Sequence, residues 1–199
     1  EYITVHATAY SCPLGCMAWE KYIIWCSATI NNVACEYKMY RMYKKRLKTG
    51  VKRDGTLVAH QARLVFNSGA YGGFKPVPGA NLPGAEHAGG PYRIPHARIE
   101  AVQVYTNSVP GGFFRGPGGV QAIFAIESHM DIIARRLGMD PLDLRMKNLL
   151  REGDETPTGH LVPGMRSTET LQAAVEAADY RARRLPNVGH GIAVGHKDQ

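Results

Sequence analysis

Residues 109–123, VPGGFFRGPGGVQAI, set five glycines, two prolines and one arginine directly ahead of an apolar run with helical spacing. A chain with this junction must turn sharply and then begin a helix within a few residues. Glycine lets backbone amides approach a neighbour closely. The first turn of a helix offers unpaired N–H groups with partial positive charge, so the loop is suited to face an anion.

Downstream of the loop the period is that of a helix. Ile123, Ile126, Met130, Ile133 and Leu137 share one face, with Glu127, Asp131 and Arg135 off it. Gly138 suits the position that ends this helix. Asp140 followed by Pro141 predicts the start of a second helix through PLDLRMKNLL, and STETLQAAVEAA predicts a third. Glu127 and Asp131, four apart on the polar side, are expected on a solvated face rather than as a catalytic acid pair. His87, His96 and His129 show no metal-ligand spacing and are expected to be structural or exposed.

Upstream, RLKTGVKRDGTLVAHQARLVF holds two extended runs around Asp54-Gly55, which predicts a β-hairpin with Val58, Ala62, Leu64 and Phe66 on one face. HARIEAVQVYTN reads as a further strand. Apolar residues on both its sides, Ile99, Ala101 and Tyr105 against Val102 and Val104, predict that it is largely covered. Residues 67–97 are loop-rich. The fold class expected is therefore α+β, with a β-hairpin and mixed strands packed against three helices.

Composition divides the chain. Residues 1–45 hold all four cysteines, both tryptophans and six of the ten tyrosines, but one of the 22 glycines. This break near Arg46 predicts that 1–45 is an atypical segment outside the fold that follows, and less well packed. Cys12, Cys16, Cys26 and Cys35 match no common zinc or iron–sulfur spacing, so ordinary thiols are expected and no metal site is assigned. The net charge of +7 is concentrated in residues 38–53, which carry eight basic and no acidic side chains, while 54–199 holds 15 basic and 14 acidic ones. A short basic run without an interleaved base-stacking architecture argues against nucleic-acid binding. No spanning helix or secretory leader is readable, which predicts a soluble, cytoplasmic protein and no membrane partner.

Three blocks, LKTGVKRDGTLVAHQARLVFNSGAYGGF, GGPYRIPHARIEAVQVYTN and GGFFRGPGGVQAIFAIESHMDIIARRLGMDPLDLRMKNLLREGDETPTG, resemble in that order the molybdenum-binding large subunit of the xanthine oxidase and aldehyde oxidoreductase family of hydroxylases. The resemblance covers about residues 47–195 and leaves the first 45 unmatched. It implies a molybdopterin cofactor, with the cytosine dinucleotide form allowed, and oxidative hydroxylation of an aldehyde or aromatic heterocycle with water. It also implies electron exit through iron–sulfur and FAD centres on partner domains or subunits. Phe114, Arg115 and Gly116 fall on the family's aromatic-Arg-Gly motif beside molybdenum, where backbone groups donate to cofactor oxygens. Tyr71, Phe74 and Pro117 are candidates to line the substrate funnel.

Departures narrow the substrate. The copper-containing carbon monoxide dehydrogenases carry a cysteine just after the motif arginine, where this chain has Gly116. The purine-oxidising members have an arginine and an aromatic where this chain has Pro83 and Pro117. The resemblance thus disfavours carbon monoxide and xanthine. The family's general-base glutamate, in a G-x-G-E segment, and its other pterin loops have no counterpart in these residues, so no catalytic residue is assigned. The chain is read as a partial first cofactor domain at 46–187 followed by the start of a second at 188–199, and as inactive alone. The alternatives are a nonenzymatic basic interaction module and a nonfunctional gene remnant.

Overall fold

The computed structural model describes residues 2–11, 16–19, 22–25, 43–71, 82–109, 116, 118–182, 186 and 188–196, with side chains from Arg46 onward apart from Leu82 and Pro83. The strands are β1 Tyr2–Ser11, β2 Cys16–Trp19, β3 Tyr22–Trp25, β4 Tyr43–Lys52, β5 Leu57–Gly69 and β6 His96–Tyr105. The helices are α1 Gly119–Leu137, α2 Pro141–Asn148 and α3 Ser167–Ala177, and one turn of 3-10 helix spans Leu82–Ala85. The fold is α+β, as predicted.

The strands form one six-stranded sheet in the order β3-β2-β1-β4-β5-β6. All neighbours are antiparallel except β5 and β6, which run parallel. The hairpin β4–β5 closes at Asp54-Gly55. Gly55 has φ +85°, where a side chain would be strained, and the Asp54 carboxylate accepts from the Thr56 amide at 3.0 Å. That amide, with Lys147 and the Thr56 hydroxyl, holds the Asp54 carboxyl down at about 2. Ala62, Leu64 and Phe66 are buried on one face as expected. Val58 is only half-buried, because the register shifts between Gly50 and Val51, and Leu57 takes the inward place.

The helix signals in the sequence hold. Gly138 ends α1 in the left-handed region at φ +68°, and its amide returns to Arg135 at 3.3 Å. Asp140 caps α2 by accepting from the Leu142 amide at 2.7 Å, with Pro141 in the first turn. α3 begins at Ser167. The core has two parts. Leu47, Ala62, Leu64 and Phe66 of the hairpin pack on Ala122 and Ala125 of α1, while Ile126, Met130 and Ile133 pack with Leu142, Leu144, Leu149 and Tyr92.

Two expectations fail. Among the described residues β6 ends the sheet, and Val102, Val104 and Tyr105 are exposed rather than covered. Apolar residues on both faces of a strand mark covering only when the topology supplies a layer for each face, and an edge position supplies fewer neighbours. Glu127 is not on a solvated face: it is buried against the fully buried Arg145, whose guanidinium reaches its carboxylate at 2.9 Å and the Asp131 carboxylate at 2.8 Å. The backbone of β1 pairs with β4 from Tyr2↔Lys52 to Tyr10↔Lys44, so the composition break near Arg46 falls within a strand of the sheet. The reading of Cys12, Cys16, Cys26 and Cys35 falls on side chains outside the described residues.

Candidate functional site

The candidate site is the turn that feeds α1. Gly116 is exposed at φ +62° and Gly118 takes φ +80°. No side chain caps the helix that follows. The carbonyl of Gly116 accepts from the amides of Gly119 at 3.1 Å and Val120 at 3.4 Å, so part of the amide set expected to face an anion is already paired within the turn. A Cβ built at Gly116 would meet only Val120 Cγ2, at 3.2 Å, which leaves the approach to this backbone open among the described residues. Phe114, Arg115 and Pro117, the rest of the motif, lie outside the described residues.

The other side of the turn is closed. A Cβ at Gly119 would stand 2.8 Å from Cδ2 of His87, and one at Gly84 would stand 2.7 Å from the Gly118 carbonyl oxygen. Segment 84–88 thus presses on Gly118–Gly119 and admits only glycine there. Two buried polar atoms beside the turn, His87 Nδ1 and Gln121 Oε1, have no hydrogen-bond partner among the described residues. Buried polar atoms are usually satisfied, so unpaired ones beside an open glycine backbone fit a polar group that completes the site. Of the funnel candidates, Tyr71 is 72% exposed at the end of β5, whereas Phe74 lies outside the described residues. His96 is exposed, His87 half-buried and His129 fully buried. Among the described residues no cluster of three or more His, Cys, Asp or Glu is placed to hold a metal ion, and no helix is long and apolar enough to cross a membrane.

Two buried polar networks tie α1 to its neighbours, and neither was foreseen in the sequence. The first joins α1, α2 and the segment before β6. Glu127 receives Arg145 Nε at 2.9 Å, the Tyr92 hydroxyl, and the Val194 amide at 2.9 Å, while Arg145 Nη2 donates to the Glu127 carbonyl at 2.9 Å. Burial pushes the Glu127 carboxyl above its usual range, and the convergent donors pull it back. The sequence held only a faint sign of this: Glu127 stands four residues after Ile123 and three before Met130, at the flank of the apolar stripe.

The second network joins the sheet to α1. Thr49 Oγ1 lies 2.9 Å from His60 Nδ1 and 2.9 Å from His129 Nε2, and His60 Nε2 lies 3.1 Å from the Ala88 carbonyl oxygen. Burial lowers the His60 pKa from 6.5 to about 4, against the opposing hydrogen bond to Ala88. The unfolded chain therefore binds more protons between those values. The stability this neutral histidine preserves is complete above about pH 6.5 and is lost as pH falls towards 4. The shift corresponds to roughly 3 kcal/mol. Urea unfolding at pH 7 and pH 4.5 is expected to differ by most of that amount, and His60→Gln is expected to flatten the difference. An equal slope in the variant would remove His60 as its source.

Comparison with known proteins decides the family. Residues 4–149 match the molybdopterin cofactor-binding domain. The chain belongs to that family. The match begins at residue 4, within the segment that composition sets apart. A probable xanthine dehydrogenase subunit from Bacillus subtilis is 38% identical over 148 residues, covering 74% of this chain and 20% of that protein. The aldehyde oxidoreductase of Megalodesulfovibrio gigas is 38% identical over 160 residues, covering 77% of this chain and 17% of that protein. The solved aldehyde oxidoreductase from Desulfovibrio gigas superposes with a TM-score of 0.58 at 34% identity, over 74% of this chain and 17% of that one. This molybdopterin-domain chain thus spans about a fifth of the length of the curated relatives it matches.

Proposed function

We propose that this chain forms one wall of the cofactor pocket in the large subunit of a molybdenum hydroxylase that hydroxylates an aldehyde or an aromatic heterocycle with water. The observation that carries the reading is the exposed, positive-φ Gly116 two residues before the glycine cap of α1, with a built Cβ meeting only Val120. When bound, molybdenum–molybdopterin supplies the two-electron oxidation and the activated water. This chain's part is to bind and orient. By the resemblance of Phe114, Arg115 and Gly116 to the family's aromatic-Arg-Gly motif, the backbone at Arg115 and Gly116 offers donors to cofactor oxygens, and Gly116 keeps a side chain out of the approach. Tyr71, Phe74 and Pro117 line the substrate funnel. Gly116 in place of a cysteine argues against carbon monoxide as substrate, and Pro117 in place of an aromatic argues against xanthine.

The general-base glutamate and the remaining pterin contacts are supplied by polypeptide outside these residues, so residues 46–187 act as part of a first cofactor domain, 188–199 lead into a second, and the chain is inactive by itself. Electrons leave through iron–sulfur and FAD subunits, and the pterin is carried as such or as the cytosine dinucleotide. Oxidative denaturation of the chain purified with its neighbouring subunits is expected to release a pterin, with cytidine nucleotide if the dinucleotide is the form held. A pterin-free preparation would overturn the assignment.

One observation favours a second reading, docking of an acidic partner. Arg46 pairs across the sheet with Arg63, and Lys48 with Gln61 and then Arg98, all exposed on the face opposite the core. Like charges directly opposite each other are unfavourable, and an acidic surface would relieve them. Glu100 already does so in part, reaching Arg98 and, at 4.0 Å, Arg63.

A further inference from the structure

Thr49, His60 and His129 come from β4, β5 and α1 and share one hydroxyl. Their proton order follows from their partners. The Ala88 carbonyl can only accept, so His60 carries its proton on Nε2, and the neutral ring accepts at Nδ1 from the Thr49 hydroxyl. That hydroxyl has one proton to give, so its oxygen accepts from His129 Nε2–H. The chain His129→Thr49→His60→Ala88 is directional and ends on the backbone of segment 84–88. Ala88 follows His87, whose ring lies against Gly119, and Gly84 closes on Gly118.

We propose that Thr49, His60 and His129 are positioning residues for the cofactor loop: their relay holds segment 84–88 against Gly118–Gly119 and thereby sets the backbone at Gly116. This rests on the reading of that loop as cofactor-facing. Two histidines that merely filled the space between sheet and helix would loosen both elements alike when disturbed, whereas the relay transmits its loss to one turn. The hydrogen bonds described for them run among the three and on to Ala88. Their effect passes through Ala88, His87 and the two glycines.

The test compares Thr49→Val, which keeps the shape and removes the hydroxyl, with Thr49→Ser, which keeps the hydroxyl, in the enzyme assembled with its partner subunits. Hydrogen exchange of the amides at 116–121 is expected to quicken about tenfold or more in Thr49→Val, with 130–134 and 62–66 changing less than about twofold, and serine is expected to restore protection. Uniform quickening across sheet and helix, or no change at 116–121, would overturn the proposal. Faster exchange at 116–121 with undiminished molybdenum content would support the mechanical link and overturn the cofactor reading, so the two fail separately. Selective 15N-histidine labelling of the wild-type enzyme needs no variant to fold: His60 protonated on Nε2 alone supports the relay, and a proton on Nδ1 overturns it.

Discussion

Replacing Arg145 by alanine is expected to cost the fold about 4 kcal/mol, because it strands a buried carboxylate rather than merely deleting a contact. Arg145 is fully buried and Glu127 is 5% exposed. Without the guanidinium, Glu127 keeps the Tyr92 hydroxyl and the Val194 amide but loses its counter-charge, and Asp131 loses the same partner. A domain of ordinary stability, about 5–15 kcal/mol, has little reserve for such a loss. The double variant Arg145→Met with Glu127→Leu is expected to recover most of it, since a buried ion pair contributes little over apolar residues of similar size. Urea midpoints of the two variants check both halves. A loss below about 1 kcal/mol for Arg145→Ala would mean that the pair is solvated.

The second large effect is expected at Gly116. Substitution by valine puts a β-branched side chain at φ +62°, in tight contact with Val120 and across the open approach to the backbone. Residue 116 precedes α1, and the helix should persist, with the Gly116 carbonyl still able to accept from Gly119 and Val120. In the assembled enzyme, activity is expected to fall below detection. Backbone strain alone would cost on the order of 1–3 kcal/mol and leave cofactor content as it was. Gly153→Val is the control: Gly153 has φ +85° and no heavy atom within 4 Å of a built Cβ, so it reproduces the strain without the obstruction.

The sequence was most legible where structure is local. The α1 and α2 termini rest on single residues, Gly138 and Asp140, whose geometry is set by their own backbone, and the hairpin rests on Asp54-Gly55. What it concealed was set by partners distant in the chain. The exposure of Val102 and Val104 follows from their place on the sheet face opposite the core, which no described element covers and no period-2 pattern reports. The burial of Glu127 follows from Arg145, 18 residues on and across a helix break. The Thr49–His60–His129 relay needs β4, β5 and α1 assembled before its residues meet, although His129, three residues after Ile126 and four before Ile133, already stood in the apolar stripe. For residues 1–45 amino-acid usage says nothing about the pairing of β1 with β4, because strand pairing depends on backbone groups that every residue type carries.

If the turn before α1 faces a molybdenum cofactor, the molybdenum content of the assembled enzyme depends on it. Wild type and Gly153→Val are expected to carry close to one molybdenum per copy of this chain, and Gly116→Val almost none, with all three showing the same helical circular dichroism. Wild-type enzyme free of molybdenum, or full loading in Gly116→Val, would contradict the account.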